Sequence, residues 1–321
     1  MTNLIKNKTV IVVILVLVLS VVLFKIKYSY VPDFGDYKSQ KAYAQKVFLH
    51  AKRTNEGIFF APNIVIGEFL KRNVGENSWD KSAITSQNLL KKYPEQAKMD
   101  VDVYGWLGDT YDALKNYDKA REYYQTQLNE FKNQYYKKDY PEKSHLSDTR
   151  ARIEEVRYIV RAHFNIAKSY NAQKQYDKAI EEYDKSIAYI DNLEGVKDAF
   201  INDIFMYPFR SKAKIYKFVY QDYDKGIKTY EEMKEKLKDS SIATSQAEIF
   251  IGDAYLAQGD IDKAKSTYEK VVIDYKNQEP TGRGVYNVAE SRLRDLQKGK
   301  IVSTEGVVYT IKDGKVTVTL I

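Results

Sequence analysis

Six residues at helical spacing could recognise an anion. Arg161, Asn165 and Lys168 stand at i, i+4 and i+7, and Arg210, Lys214 and Lys217 repeat that spacing. Side chains three and four apart share one helix face. Each set therefore forms a stripe of donors able to hold a carboxylate, on an acidic segment or at a chain terminus. The same residues also fit an ordinary solvated face. Nothing else in the chain has the spacing of a reactive site. It lacks the Gly-x-x-x-x-Gly-Lys-Ser/Thr, Gly-x-Gly-x-x-Gly and Gly-x-Ser-x-Gly patterns. Gly282-Arg283-Gly284 is too short to cradle a phosphate. Paired carboxylates such as Glu181-Glu182 and Glu231-Glu232 suit polar helix faces. Cysteine is absent, and His50, His145 and His163 have no metal-ligand spacing. His163 is read as packing. No catalytic residue, metal or cofactor is expected, and the chain is read as a non-enzyme.

The elements that position those stripes come from a phrase that returns. Residues 107–124, 166–183 and 251–268 share one spacing. A small residue (Gly108, Ala167, Gly252) follows an aliphatic one, and a tyrosine comes three later (Tyr111, Tyr170, Tyr255). A polar turn leads to Tyr-Asp-Lys-Ala or Ile-Asp-Lys-Ala. Its alanine (Ala120, Ala179, Ala264) precedes a tyrosine by four (Tyr124, Tyr183, Tyr268). The pattern predicts two helices that approach closely at small residues, with tyrosines filling the space between layers. A fourth copy at 213–230 reads Ala213, Tyr216, Tyr223-Asp224-Lys225-Gly226 and Tyr230, with one extra residue and hence a longer turn. A degenerate copy is expected first, with Trp79-Asp80-Lys81-Ser82 in place of Tyr-Asp-Lys-Ala and Tyr93-Pro94 near its end.

This phrase resembles the tetratricopeptide repeat family, whose antiparallel helix pairs stack into a superhelix. The resemblance covers roughly residues 63–298, with a poorly matching insertion at about 131–158. It implies an all-α, right-handed α-solenoid that binds protein segments in a groove lined by the first helix of each pair. Some family members hold a carboxylate there with lysines, asparagines and arginine. Asn165 and the basic residues around it are similar to that clamp, whereas Asp109 and Asp112 depart from it.

Within the insertion, Asp139-Tyr140-Pro141-Glu142-Lys143-Ser144 reads as a loop. Ser147 or Asp148 then caps a long helix from about 149 to 173. Pro208 is read as a helix start.

Val10 to Phe24 is almost wholly aliphatic and flanked by lysines. These fifteen residues span about 22 Å as a helix, extendable through Ile26 and the interfacial Tyr28 and Tyr30. No Ala-x-Ala-like cleavage site follows, so an uncleaved anchor over 9–27 is expected behind a short tail, 1–8. A juxtamembrane linker occupies 28–62, and its helix, from 36 onward, ends near Gly57. Its apolar Tyr43, Val47, Phe48 and Ala51 recur at helical spacing, as packing or a membrane surface would require. A basic tail kept in the cytoplasm places the repeats outside it, at a bacterial-type inner membrane.

Net charge is +7, and Lys6, Lys8, Lys25 and Lys27 supply four of these charges. The rest is a mixed surface, unlike the basic stripe of a nucleic-acid binder. Among the 28 tyrosines, many occupy packing positions of the repeat.

At the C-terminus a last helix, 283–298, is read as turning Val285, Val288, Ala289, Leu293 and Leu296 to the repeats. A β-hairpin within 299–321 turns at Asp313-Gly314, pairing Ile311 with Val316, Tyr309 with Val318 and Val307 with Leu320. It docks on its own chain, pairs with a partner strand, or stays disordered until it binds.

The expected function is a membrane-anchored scaffold for proteins or peptides, acidic segments among them. The settings are envelope assembly, secretion or chaperoning. The alternative is a self-assembling structural subunit, which would form a homo-oligomer.

Overall fold

The computed structural model describes residues 31–55, 65–98, 100–131, 148–193, 203–276 and 282–321. The tail, the anchor at 9–27, the loop at 139–144 and His145 lie outside the described residues. Among the described residues no helix is long and apolar enough to cross a membrane. The chain divides after Phe131 into two compact units.

The first unit opens with α1 (Tyr37–Asn55), capped by Asp36, whose side chain accepts from the Ser39 N–H at 2.9 Å. Gln40, Ala44, Phe48 and Ala51 turn inward, and α1 packs on α2 (Val65–Lys92). The linker helix is thus half of a packed pair. Helix α2 runs through Trp79 unbroken, so the degenerate copy expected there has no turn before its Trp-Asp-Lys-Ser. The reason is packing. Trp79 joins Phe48, whose ring in turn stacks 5.9 Å from Trp106. Ser82, Thr85, Ser86 and Leu89 form a buried row of mostly small residues, which brings α2 close enough for Ser82 Oγ to meet Thr110 Oγ1 at 3.0 Å. A single turn, α3 (Pro94–Lys98), leads to the pair α4 (Val101–Ala113) and α5 (Tyr117–Phe131).

The second unit contains three further pairs: α6 (Asp148–Ala172) with α7 (Tyr176–Ala188), α8 (Asp203–Phe218) with α9 (Tyr223–Lys236), and α10 (Ser241–Gln258) with α11 (Ile261–Tyr275). A 3₁₀ turn, Tyr189–Leu193, follows α7. The long helix expected after the insertion is α6. The extra residue of the 213–230 copy sits in its turn, residues 219–222 against 173–175 in the pair before. The turns within α4–α5, α6–α7, α8–α9 and α10–α11 each use one left-handed residue: Lys115, Lys174, Gln221 and Gly259. Asp222 and Asp260 then cap the second helix by accepting from Lys225 and Lys263 N–H groups.

The small residues do what the spacing requires. A Cβ at Gly252 would fall on the Tyr268 ring, and one at Gly108 on the Tyr124 ring, closer than carbon atoms approach. Both tyrosines are buried. Gly252→Val is therefore expected to cost about 1–3 kcal/mol or more by forcing α10 off α11. Urea unfolding checks this, and a midpoint equal to wild type would sink it.

Pro208 lies inside α8 rather than at its start. It removes one helical donor, but Phe205, Met206 and Phe209 around it are fully or almost fully buried. That burial holds the turn N-terminal to the proline in helical form.

The last helix, α12 (Gly282–Lys298), packs against α10 and α11. It is followed by an antiparallel sheet of three strands where a two-stranded hairpin was expected: β1 (Lys300–Ser303), β2 (Val307–Lys312) and β3 (Lys315–Leu320), in that order. Strand β1 is only four residues long and turns a serine inward, so its alternation is hard to see. The β2–β3 register is the expected one, with positive φ at both Asp313 and Gly314. Ile301, Val307 and Tyr309 are buried against Ile249, Leu256, Tyr268 and Ala289. The sheet thus docks on its own chain.

Candidate functional site

The two basic stripes sit on α6 and α8, the first helices of adjacent pairs, which touch each other. On α6, Arg161 and Lys168 are exposed and Asn165 is half-buried, while Val160, Ile166 and Ala167 on the opposite side pack inward. Between the stripes the Phe164 ring lies 5.7 Å from Tyr207 of α8, which is 36% exposed. The Arg210 guanidinium lies over two rings, 5.9 Å from Tyr207 and 4.9 Å from Phe250. Arg210 thus borders the aromatic contact, and Arg161 and Lys168, three before and four after Phe164, share its side of α6. Asp109, the first-copy departure from the clamp, accepts from Tyr124 Oη at 2.8 Å inside its own pair.

Lys217 does not belong to that open face, and Lys214 is half-buried beside it. Lys217 is fully buried, and its ammonium pairs with Glu305 Oε2 at 2.6 Å, both side chains 0% exposed. Lys214 Nζ donates to the Glu305 carbonyl at 2.8 Å. Burial lowers the Lys214 pKa, and the neighbouring Lys217 and Arg210 charges act in the same direction. The expectation that Lys217 meets an external acidic segment is corrected here, while half-buried Lys214 has a backbone partner within the chain. The chain supplies the acid itself, from the turn between β1 and β2. Glu305 Oε1 also accepts from Tyr230 Oη at 2.6 Å. Burial, with the Glu305 charge beside it, pushes the Tyr230 phenol well above its usual range.

A second buried carboxylate continues the arrangement. Asp253 Oδ1 accepts from Tyr268 Oη at 2.6 Å and from Arg292 Nε at 3.0 Å, and Oδ2 accepts from Ser303 Oγ at 2.6 Å. Arg292 Nη1 reaches the Val302 carbonyl at 2.8 Å. Every oxygen of both carboxylates accepts from at least one donor, as buried charges require. They join the last two helix pairs to α12 and the sheet. Their chemistry is structural, since every oxygen is engaged from within.

These residues were not found from the sequence, although one signal was present. Gly226 stands where the other copies carry alanine. A Cβ there would come within 2.5 Å of Lys217 Cγ, so the glycine makes room for the buried lysine. His163 lies between α6 and α7, with Nδ1 2.8 Å from Glu182 Oε2 and its ring stacked 5.8 Å from Tyr189. Among the described residues no group of three or more His, Cys, Asp or Glu is placed to hold a metal.

Models of the tetratricopeptide repeat match residues 101–130 and 160–192, and a further one matches 251–277. No curated protein matches by sequence. Among solved structures, MamA is 15% identical, with 74% of this chain and 99% of that one covered and a TM-score of 0.39. BtubC (BKLC) from P. vanneervenii is 18% identical, with 83% and 94% covered and a TM-score of 0.43. A thermophilic TPR protein of Thermus thermophilus, TTC0263, is 14% identical, with 68% and 94% covered and a TM-score of 0.31.

Proposed function

We propose that this tetratricopeptide-repeat protein is a membrane-anchored scaffold that captures acidic protein segments on the exposed face that α6 and α8, the first helices of their pairs, give to a repeat groove. Repeats of this family are generally non-catalytic platforms for protein–protein interaction, and protein partners follow from that. The observation that carries the finer reading is the exposed Tyr207 set between Phe164 and Arg210, with the Arg161 and Lys168 cations alongside. Tyrosine and arginine, with tryptophan, are the side chains enriched where binding energy concentrates. The flanking cations add attraction for carboxylates. Residues 9–27 hold the scaffold in a bilayer of a bacterial-type envelope, with the repeats outside the cytoplasm.

The test is crosslinking of the intact protein in its own membranes, followed by mass spectrometry of what is captured. Partners should crosslink to α6 and α8 through acidic segments. The double reversal Arg161→Glu with Lys168→Glu should weaken capture roughly tenfold while helix content stays unchanged. Equal capture by the double variant would remove this face from the reading.

A self-assembling subunit is the second reading. Leu320 and Ile321, 59% and 78% exposed at the end of β3, favour it. Self-crosslinks alone, through residues 315–321, would replace the scaffold with it.

A further inference from the structure

Helix α1 carries Lys38, Lys41, Lys46, Lys52 and Arg53 and has no acidic residue along its whole length. Its inner face is settled by packing: Gln40, Ala44, Phe48 and Ala51 are buried. Lys41 also turns to the body of the unit, pairing with Asp100 at 2.5 Å. The outer face is then Lys38, Ala42, Gln45, Lys46, Leu49, Lys52 and Arg53, all exposed. At 3.6 residues per turn these positions fall within one sector about 120° wide. Lys46, Lys52 and Arg53 lie within about one turn of the exposed Leu49, and Lys38 lies about three turns away in the same sector. Asp36, at the helix start, is engaged in capping Ser39, and Asp33 pairs with Lys92.

The chain reaches α1 directly from its apolar N-terminal run. Pro32 is clasped to the helix, its carbonyl accepting from Gln40 Nε2 at 3.1 Å, and the Phe34 N–H donates to Gln40 Oε1 at 3.3 Å. Only residues 25–31 separate Phe24 from that clasp, at most about 25 Å of extended chain. Lys25 and Lys27 lie in this stretch and add to the same charge.

We infer that the outer face of α1 lies on the anionic surface of the bilayer that holds residues 9–27, and that this contact orients the first unit. The inference rests on the anchor proposed above. A short tether holds the face at the membrane, and its charge matches acidic lipid headgroups, which attract basic segments within a Debye length. The exposed leucine can enter the headgroup boundary as such helices do.

The chain has no cysteine, so single labels are clean. Full-length Gln45→Cys and Leu49→Cys, with Gln125→Cys on α5 as the control, are labelled with an environment-sensitive fluorophore. Each is reconstituted in phosphatidylcholine vesicles with or without phosphatidylglycerol, carrying a chain-attached nitroxide quencher. In the anionic vesicles the labels at 45 and 49 should be quenched about twofold or more beyond the control, and added salt should reduce the difference. Lys46→Glu with Lys52→Glu should abolish the excess without releasing the protein from the vesicles. Failure to co-float with neutral vesicles overturns the anchor and this inference together. Co-flotation with labels quenched no more than the control overturns the inference alone. Labels shielded from aqueous iodide but not quenched by lipid overturn it as well, because protein then covers the face.

Discussion

Glu305→Ala is expected to cost about 3–5 kcal/mol, because it leaves the Lys217 ammonium buried without its partner charge. The Lys217 side chain is 0% exposed, so water cannot replace the lost carboxylate without the packing opening. The Phe218 and Tyr230 rings near the ammonium, 4.9 and 5.0 Å away, offer only partial compensation. Tyr230 Oη loses its acceptor in the same substitution. The pair need not be stabilising in itself. Removing both charges at once, with Lys217→Met, Glu305→Leu and Tyr230→Phe, is expected to restore most of the loss or exceed it. Urea unfolding of the single and triple variants separates the two effects. A single variant within about 1 kcal/mol of wild type would show that Lys217 escapes to solvent. The single variant should also lose the ordered docking of residues 300–320, read as faster amide exchange in β1 and β2.

The repeat was legible because its determinants are local. Spacing within one helix pair fixes which small residue faces which tyrosine, and Gly252 against Tyr268 follows from sequence positions sixteen apart. The β2–β3 register was legible for the same reason, since the Asp313-Gly314 turn and the alternation beside it lie within fourteen residues. What stayed hidden depends on long-range pairing. Lys217 and Glu305 are separated by 88 residues, and nothing in the periodicity around Lys217 distinguishes it from the exposed Lys168. The reading of Lys217 as a groove residue failed at that point. The continuity of α2 through Trp79 was hidden too. It depends on aromatic packing against Phe48 of α1 rather than on the Trp-Asp-Lys-Ser phrase itself. In candidate-site terms, Arg161, Asn165, Lys168 and Arg210 could be placed on facing helices from spacing alone. The contribution of Phe164 and Tyr207 between them required the fold.

The same limit sets apart two aspartates that the repeat treats alike. Asp109 and Asp253 both follow the small glycine, and each accepts from the tyrosine fifteen residues later, Tyr124 and Tyr268. Asp109 is half-buried, so Asp109→Ala is expected to cost about 1 kcal/mol, an ordinary hydrogen bond. Asp253 is fully buried and also holds Arg292, which is 4% exposed, and Ser303. Asp253→Ala strands the guanidinium and two hydroxyls, so about 3–5 kcal/mol is expected. Adding Arg292→Leu to Asp253→Ala should recover part of the loss, because the stranded charge goes with it. Thermal unfolding of these variants decides the matter. Equal losses at 109 and 253 would mean that Arg292 finds other partners, and the sheet would then be an accessory to the repeat. The expected inequality makes α12 and the sheet the continuation of the packed array, closing the last pair as a terminal repeat of such an array requires.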